Sequence, residues 1–247
     1  MNKVASLSTV IRTEFFKLRN CKVLWGMPLC AFLPDLLIFS MFALNKKFPI
    51  VVWENFFKYA IMMFNILMAI GIFALLAGFI FSREYQENTI NSMFTYPIGR
   101  IRFFIGKLIV ILILISITIV ASFILLVLLG LTIKHEPLTL NILLYYTKVY
   151  AFAIVMHFAL IPIIAFLSIY NKSIVPPIIL AVCAITLNLL VINTPFNTIF
   201  PWCIPTILSP HLNGRTYTNY TLGIIVLCTT FIGGTILSIK SIKKDVQ

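Results

Sequence analysis

Apolar residues fall in long blocks along this chain, and polar residues gather in short segments between them. Crossing the hydrocarbon core of a bilayer as a helix takes about 20 consecutive, mainly apolar residues. Six stretches approach or exceed that length: 23–44, 59–81, 108–131, 149–169, 174–192 and 222–239. All six are predicted to be helical, because an open strand leaves backbone N–H and C=O groups unsatisfied in lipid. The third carries the unbroken run Ile109-Val110-Ile111-Leu112-Ile113-Leu114-Ile115, and only Tyr170-Asn171-Lys172-Ser173 separates the fourth from the fifth. The pattern predicts one all-α, polytopic membrane domain over residues 1–247 with six transmembrane helices.

Three further segments have patterns of their own. In residues 7–19, Leu7, Val10, Ile11, Phe15 and Leu18 recur at helical spacing, flanked by Arg12, Lys17 and Arg19. That suits a helix lying flat on the membrane with its apolar face in the headgroup boundary. Glu14 falls inside the apolar stripe. It either sits at the stripe's edge in reach of water, or pairs with a basic group of the following cytoplasmic loop or of a partner subunit. The loop 82–107 opens with a helix-compatible half, with Ile90, Met93 and Phe94 on one face and Glu84, Glu87, Asn88 and Asn91 as polar positions. Pro97 ends it, having no N–H to donate and restricting the residue before it. An apolar face beyond the membrane is buried either against the protein's own helices or in a groove of a soluble partner. Residues 193–220 contain Pro195, Pro201, Pro205 and Pro210 among apolar residues such as Trp202-Cys203-Ile204. The segment is too apolar for a solvated loop and too broken to span, so it reads as re-entrant or interfacial, with Trp202 at headgroup depth.

Composition supports the membrane reading. Hydrophobic residues make up 61% of the chain and charged residues 11%, against about 25% charged in soluble domains. Of the 19 Lys and Arg, 13 lie in the N-terminal segment, the loop 82–107, the hairpin at Lys172 and the C-terminal tail, and 6 lie in the alternate loops. This asymmetry puts both termini in the cytoplasm. Confinement of the cations to short inter-helix segments argues against nucleic acid, which needs a basic face on a soluble surface. Cys21, Cys30, Cys183, Cys203 and Cys228 form no C-x-x-C pair, so no metal site is expected.

Asp35, directly after Pro34, falls inside the first transmembrane stretch. An aspartate there costs about 2.5–3.5 kcal/mol on an insertion scale, so it is expected to have a partner and to face protein or water. It is a candidate for the pathway or a subunit interface. Asn65, His157 and Asn188 are candidates of the same kind, each making either an interhelical hydrogen bond or a substrate contact. Ala74 and Gly78 form a small-xxx-small pair that permits close helix approach. No Walker A sequence occurs: six residues separate Gly99 from Gly106-Lys107, and Leu108 follows where Ser or Thr would hold magnesium. HExxH and GxSxG are also absent, so no catalytic residue is expected.

The order of a flat basic helix, a first transmembrane helix, and a second one leading into Glu84-Tyr85-Gln86-Glu87 resembles the ABC-2 type transporter permeases. So does the continuation through Asn88-Thr89, Pro97-Ile98-Gly99-Arg100 and Lys107 at the opening of the third helix. Asn88 stands where that pattern usually has Gly, and Gly99 where it has Ser or Thr. The resemblance implies that 7–19, with Glu14, Phe15, Lys17 and Arg19, is a connecting helix. It implies that 82–96 supplies a coupling helix seated on a separate ATPase, through Glu84, Tyr85, Glu87, Asn88, Thr89, Ile90, Met93 and Phe94, followed by Pro97 and Arg100. Two ATPase subunits would then carry ATP and magnesium, and a second permease, identical or related, would complete the transporter in the membrane lipid. Small permeases of this kind are similar to those of bacitracin resistance, lantibiotic self-protection and phenol-soluble modulin export. The implied cargo is an amphipathic or lipid-like molecule such as a cytolytic or antimicrobial peptide. The richness in Ile, Lys and Asn fits a Gram-positive source. Two other classes stay open: a gradient-driven carrier or channel using Asp35, and an intramembrane hydrolase using His157 as base.

Overall fold

The structure is a computed structural model that describes residues 7–19, 22–44, 50–87, 99–208 and 219–244. Its helices are α1 (Leu7–Arg19), α2 (Lys22–Leu44), α3 (Trp53–Met63), α4 (Ala69–Gln86), α5 (Arg100–Leu131), α6 (Leu140–Asn171), α7 (Val175–Val191), α8 (Ile204–Ile207) and α9 (Tyr220–Lys244). A π turn, Phe64–Met68, joins α3 to α4, and 3₁₀ turns over Pro195–Thr198 and Pro201–Cys203 lead into α8. Among the described residues there is no strand, only an isolated parallel bridge between Val51 and His135.

Among the described residues, four helices are long and apolar enough to cross a membrane: Trp53–Gln86, Arg100–Leu131, Leu140–Asn171 and Tyr220–Lys244. The Leu29–Leu44 part of α2, and α7 (Val175–Val191), are shorter apolar helical stretches. The first rod has 34 residues, about 51 Å at 1.5 Å per residue. A hydrocarbon core is about 30 Å thick, so this rod extends well beyond it.

Several helices begin before the stretch that hydropathy marks. The rod starts at Trp53 instead of 59, because Trp53, Phe56 and Phe57 are buried although Glu54 and Lys58 dilute the local hydropathy. Helix α5 starts at Arg100 instead of 108, which turns the end of the expected loop 82–107 into helix. Helix α6 starts at Leu140 instead of 149.

Two groups of helix ends define the two faces. At one, the Val51 N–H donates to Lys134 C=O (2.8 Å) and the Glu136 N–H to Val51 C=O (3.1 Å). Trp53 Nε1 donates to Glu136 C=O at 2.8 Å, and the Tyr146 hydroxyl to Glu54 C=O at 2.9 Å. Stacked rings of Trp53 and Phe57 (5.5 Å), with Tyr146 at 4.6 Å from Phe57, seal this corner. At the opposite face, α1 packs along the start of α5. The Lys172 ammonium, in the turn between α6 and α7, lies 5.8 Å over the Tyr85 ring near the end of α4. A groove there joins Gly99–Arg102 to the last turns of α9. These are the segments in which Lys and Arg accumulate.

Small residues set the helix crossings. A Cβ on Gly78 would stand 3.0 Å from Pro177 Cβ, and Ser168 Oγ donates to Gly78 C=O at 2.9 Å, so the Ala74/Gly78 face of α4 meets both α7 and α6. A Cβ on Gly234 would stand 2.5 Å from the Ile163 backbone nitrogen, and Ser238 Oγ donates to Pro162 C=O at 3.0 Å. Helix α9 is thereby pressed onto α6 at its proline. Leu36, Leu37, Ile117, Ile124, Val182 and Ile225 remain exposed, the outward apolar surface expected of a bilayer-embedded chain.

Candidate functional site

Two acids and two lysines from three helices converge at the basic face. Val10, Glu14 and Leu18, four residues apart, form the buried side of α1. That side lies hard against α5, since a Cβ on Gly106 would stand 2.7 Å from Val10 Cγ1. Glu14 therefore has no path to water from within the apolar stripe, and is 3% exposed. Its Oε1 accepts from Lys17 Nζ at 2.7 Å, and its Oε2 lies 4.0 Å from Lys107 Nζ. Glu84, near the end of α4, takes both lysines: Oε1 accepts from Lys17 Nζ at 3.0 Å, and Oε2 pairs with Lys107 Nζ at 2.9 Å. Lys107, 2% exposed, also donates to Ile80 C=O at 2.6 Å and sits 5.0 Å over the Phe103 ring.

The cluster is neutral overall, which is the condition for burying charge at tolerable cost. It knits α1, α4 and α5 into one unit. Arg83 reinforces it, donating from Nη1 to Lys17 C=O at 2.9 Å and from Nε to Glu87 Oε1 at 2.7 Å. Glu14 thus takes the second of its two readings: it pairs with the base that opens α5 as well as with Lys17 of its own helix. Phe15 and Tyr85 pack partly buried against the core, while Arg19 and Glu87 are exposed and Arg100 is partly exposed. Asn88, Thr89, Ile90, Met93, Phe94 and Pro97 lie outside the described residues.

Burial works against the charge on the Lys17 ammonium, but Glu84 and Glu14 outweigh it and hold the group above the ordinary lysine value of 10.5. A cation whose folded value is raised contributes stability that is present below its unfolded value and lost as pH climbs through the folded one. The attachment of α1 is therefore expected to loosen only above about pH 10.5. Hydrogen exchange in residues 7–19 checks this, and Lys17→Arg is expected to move the loosening to higher pH because guanidinium stays charged.

The intramembrane candidates find partners too. Asp35 is fully buried, and its Oδ2 accepts from Ser122 Oγ of α5 at 2.7 Å. Its Oδ1 and the buried Tyr150 hydroxyl of α6 have no hydrogen-bond partner among the described residues. Asn65, in the π turn, donates through Nδ2 to Pro205 C=O at 3.0 Å. This directs Asn65 Oδ1 at His157 Nε2, 3.0 Å away, and assigns that nitrogen as the donor. Asn188 is fully buried, its Oδ1 accepting from Cys203 Sγ at 2.7 Å and its Nδ2 reaching Trp202 C=O at 3.4 Å. Two sequence candidates, Asn65 and Asn188, thus clasp the proline-rich segment, and His157 holds Asn65 in place. Asn65 is about 18 Å along the rod from Trp53 at 1.5 Å per residue, so Pro205 sits well below that end. Trp202 is 8% exposed and packs 5.5 Å from Phe200, inside the protein.

The signal for the charged cluster lay in Glu14, an acid on an apolar helical face. Nothing in the sequence singled out Lys107 as its buried partner, because a lysine at the start of a transmembrane helix also reads as an interfacial anchor.

A rod longer than a bilayer core, an amphipathic basic helix and the buried ion pairs that join them make up the base of a membrane-embedded helical domain. The sequence matches the ABC-2 family transporter protein model over residues 10–188. The chain belongs to the ABC-2 transporter family and is a multi-pass membrane permease. The matched region runs from the first buried residue of α1 to Asn188, so it contains all four members of the cluster. The chain is similar to the bacitracin transport permease protein BCRB of Bacillus licheniformis, 27% identical over 179 residues, which cover 72% of this chain and 86% of that protein.

Proposed function

We propose that this chain is the transmembrane subunit of an ATP-binding-cassette exporter, driven by two separate ATPase subunits that carry the ATP and magnesium. The observation that carries this reading is the Glu14–Lys17–Glu84–Lys107 cluster. It binds α1, the end of α4 and the start of α5 together, the two helix ends that the segment 88–98 connects in sequence. A force applied to that segment would then move three helices as one body instead of bending a loop. Both termini lie in the cytoplasm, six helices span the membrane, and a second permease, identical or related, completes the pathway. The cargo is an amphipathic peptide of the cytolytic or antimicrobial kind. This fits an apolar interior with few charges and the similarity to a bacitracin transport permease. The clasped segment 193–208 closes the outer end of the path.

Copurification from native membranes in mild detergent tests the reading: an ATP-binding-cassette subunit is expected in near-stoichiometric amount, and its absence sinks the proposal. Asp35 separates it from a gradient-driven carrier. With Oδ2 held by Ser122 and no opening to water, Asp35→Asn keeps an oxygen acceptor for the serine. It is expected to change stability by less than about 1 kcal/mol and to leave ATP-dependent export intact. Loss of transport in a variant that folds normally would favour the carrier.

A further inference from the structure

At the basic face, the N-terminal turn of α5 and the C-terminal turns of α9 stand apart and enclose a groove of about 530 Å³, lined by Gly99, Arg100, Ile101, Arg102, Ile239, Ile242 and Lys243. The lining is divided by chemistry. Arg102 and Lys243 are exposed and form no ion pair among the described residues, and Arg100 lies beside them. Ile101, Ile239 and Ile242 form the apolar part. Exposed Ile105 and Ile236 continue that surface along the same two helices toward the membrane interior. The described acids are Glu14, Asp35, Glu54, Glu84, Glu87 and Glu136, and none lines the groove. Both helices are long and apolar enough to cross the bilayer and end here, which sets the groove at headgroup depth.

We infer that this groove binds an anionic glycerophospholipid of the leaflet at the basic face, its phosphate held by Arg102 and Lys243 and its acyl chain laid along Ile101, Ile105 and Ile236. A water-soluble anion would use the cations and leave the isoleucines idle, and a zwitterionic lipid would bring its own ammonium into a site already cationic. Only a lipid with net negative charge meets both halves of the lining. Basic pockets between membrane helices take such headgroups through the same pairing. The inference goes beyond the proposed transport reaction, and its lipid chemistry does not depend on which face is cytoplasmic.

The test uses the full chain, with any subunit that copurifies, in phosphatidylcholine vesicles carrying a trace of photoactivatable phosphatidylglycerol or photoactivatable phosphatidylcholine. The phosphatidylglycerol probe is expected to label peptides containing 99–105 and 236–243 preferentially. Each basic side chain contributes about fivefold near a membrane surface, so R102Q/K243Q should lower that labelling by about 30-fold. R102K/K243R should keep it, as should Lys148→Gln in α6. If R102Q/K243Q does not fold, Lys243→Gln alone should give about a fivefold loss. Equal labelling by the two probes, or undiminished labelling of a folded R102Q/K243Q variant, overturns the inference. Competition by excess inorganic phosphate overturns it in favour of a free anion, and protection of these peptides by a copurifying subunit overturns it in favour of a protein contact.

Discussion

Replacing Lys107 with alanine is expected to destabilise the protein by about 3–5 kcal/mol, the cost of breaking a buried ion pair from one side. The lysine is 2% exposed and is the partner of Glu84 Oε2, with Glu14 Oε2 within 4.0 Å. Its removal leaves two buried carboxylates facing the single ammonium of Lys17, and strands the Ile80 carbonyl that Lys107 holds at 2.6 Å. Restoring charge balance should recover most of the loss, since apolar groups of similar volume often replace a buried pair without penalty. The double variant Lys107→Met/Glu84→Gln is therefore expected to lie much closer to wild type than Lys107→Ala. Denaturation in mixed micelles reads the order. A wild-type midpoint for Lys107→Ala, or a double variant no better than the single, would contradict the account. The double variant should still export poorly, because α1 would lose its charged links to α4 and α5 and be held only by packing and by the Arg83 hydrogen bond to the Lys17 carbonyl.

The second large effect is expected where α9 crosses α6. Alanine at Gly234 gains about 1 kcal/mol of helix propensity, but its Cβ would meet Ile163 N at 2.5 Å and Pro162 C at 2.8 Å. Those are backbone atoms at a proline and cannot swing aside as a side-chain tip would. Overpacking costs about 1–3 kcal/mol and more where nothing can yield, so the clash outweighs the propensity. Gly234→Leu is expected at or above about 3 kcal/mol, with loss of the Ser238–Pro162 hydrogen bond. A Cβ placed on Gly233, one residue earlier, would meet nothing within 4 Å, and Gly233→Ala should stabilise slightly. Opposite signs at adjacent glycines identify the crossing. Equal signs would contradict it.

How much of this was legible in the sequence depends on the length scale of each signal. Apolar blocks announced the helices, because lipid contact demands them over some twenty residues. Their true starts were hidden where buried rings share a turn with charges: Trp53, Phe56 and Phe57 are buried, but Glu54 and Lys58 stand among them. The π turn at Phe64–Met68 leaves no compositional trace, yet Asn65 sits within it. Asn65, His157 and Asn188 could be flagged one at a time as polar groups in apolar helices. That the first two meet each other, and that Asn65 and Asn188 hold the same proline-rich segment, depends on contacts spanning up to 140 residues. Glu14 signalled a cationic partner, and periodicity could not say that Lys17 and Lys107 would meet it together with Glu84.

If an ATPase grips this subunit at the end of α4, a photoreactive residue placed there reports the contact most directly. Glu87 is the last described residue of that end, exposed and held by Arg83 at 2.7 Å. With p-benzoylphenylalanine replacing Glu87 in cells, irradiation is predicted to join the permease to an ATP-binding-cassette subunit, with a yield that changes when ATP is trapped. Adducts confined to lipid or to the permease itself, at a level unaffected by nucleotide, would contradict the account.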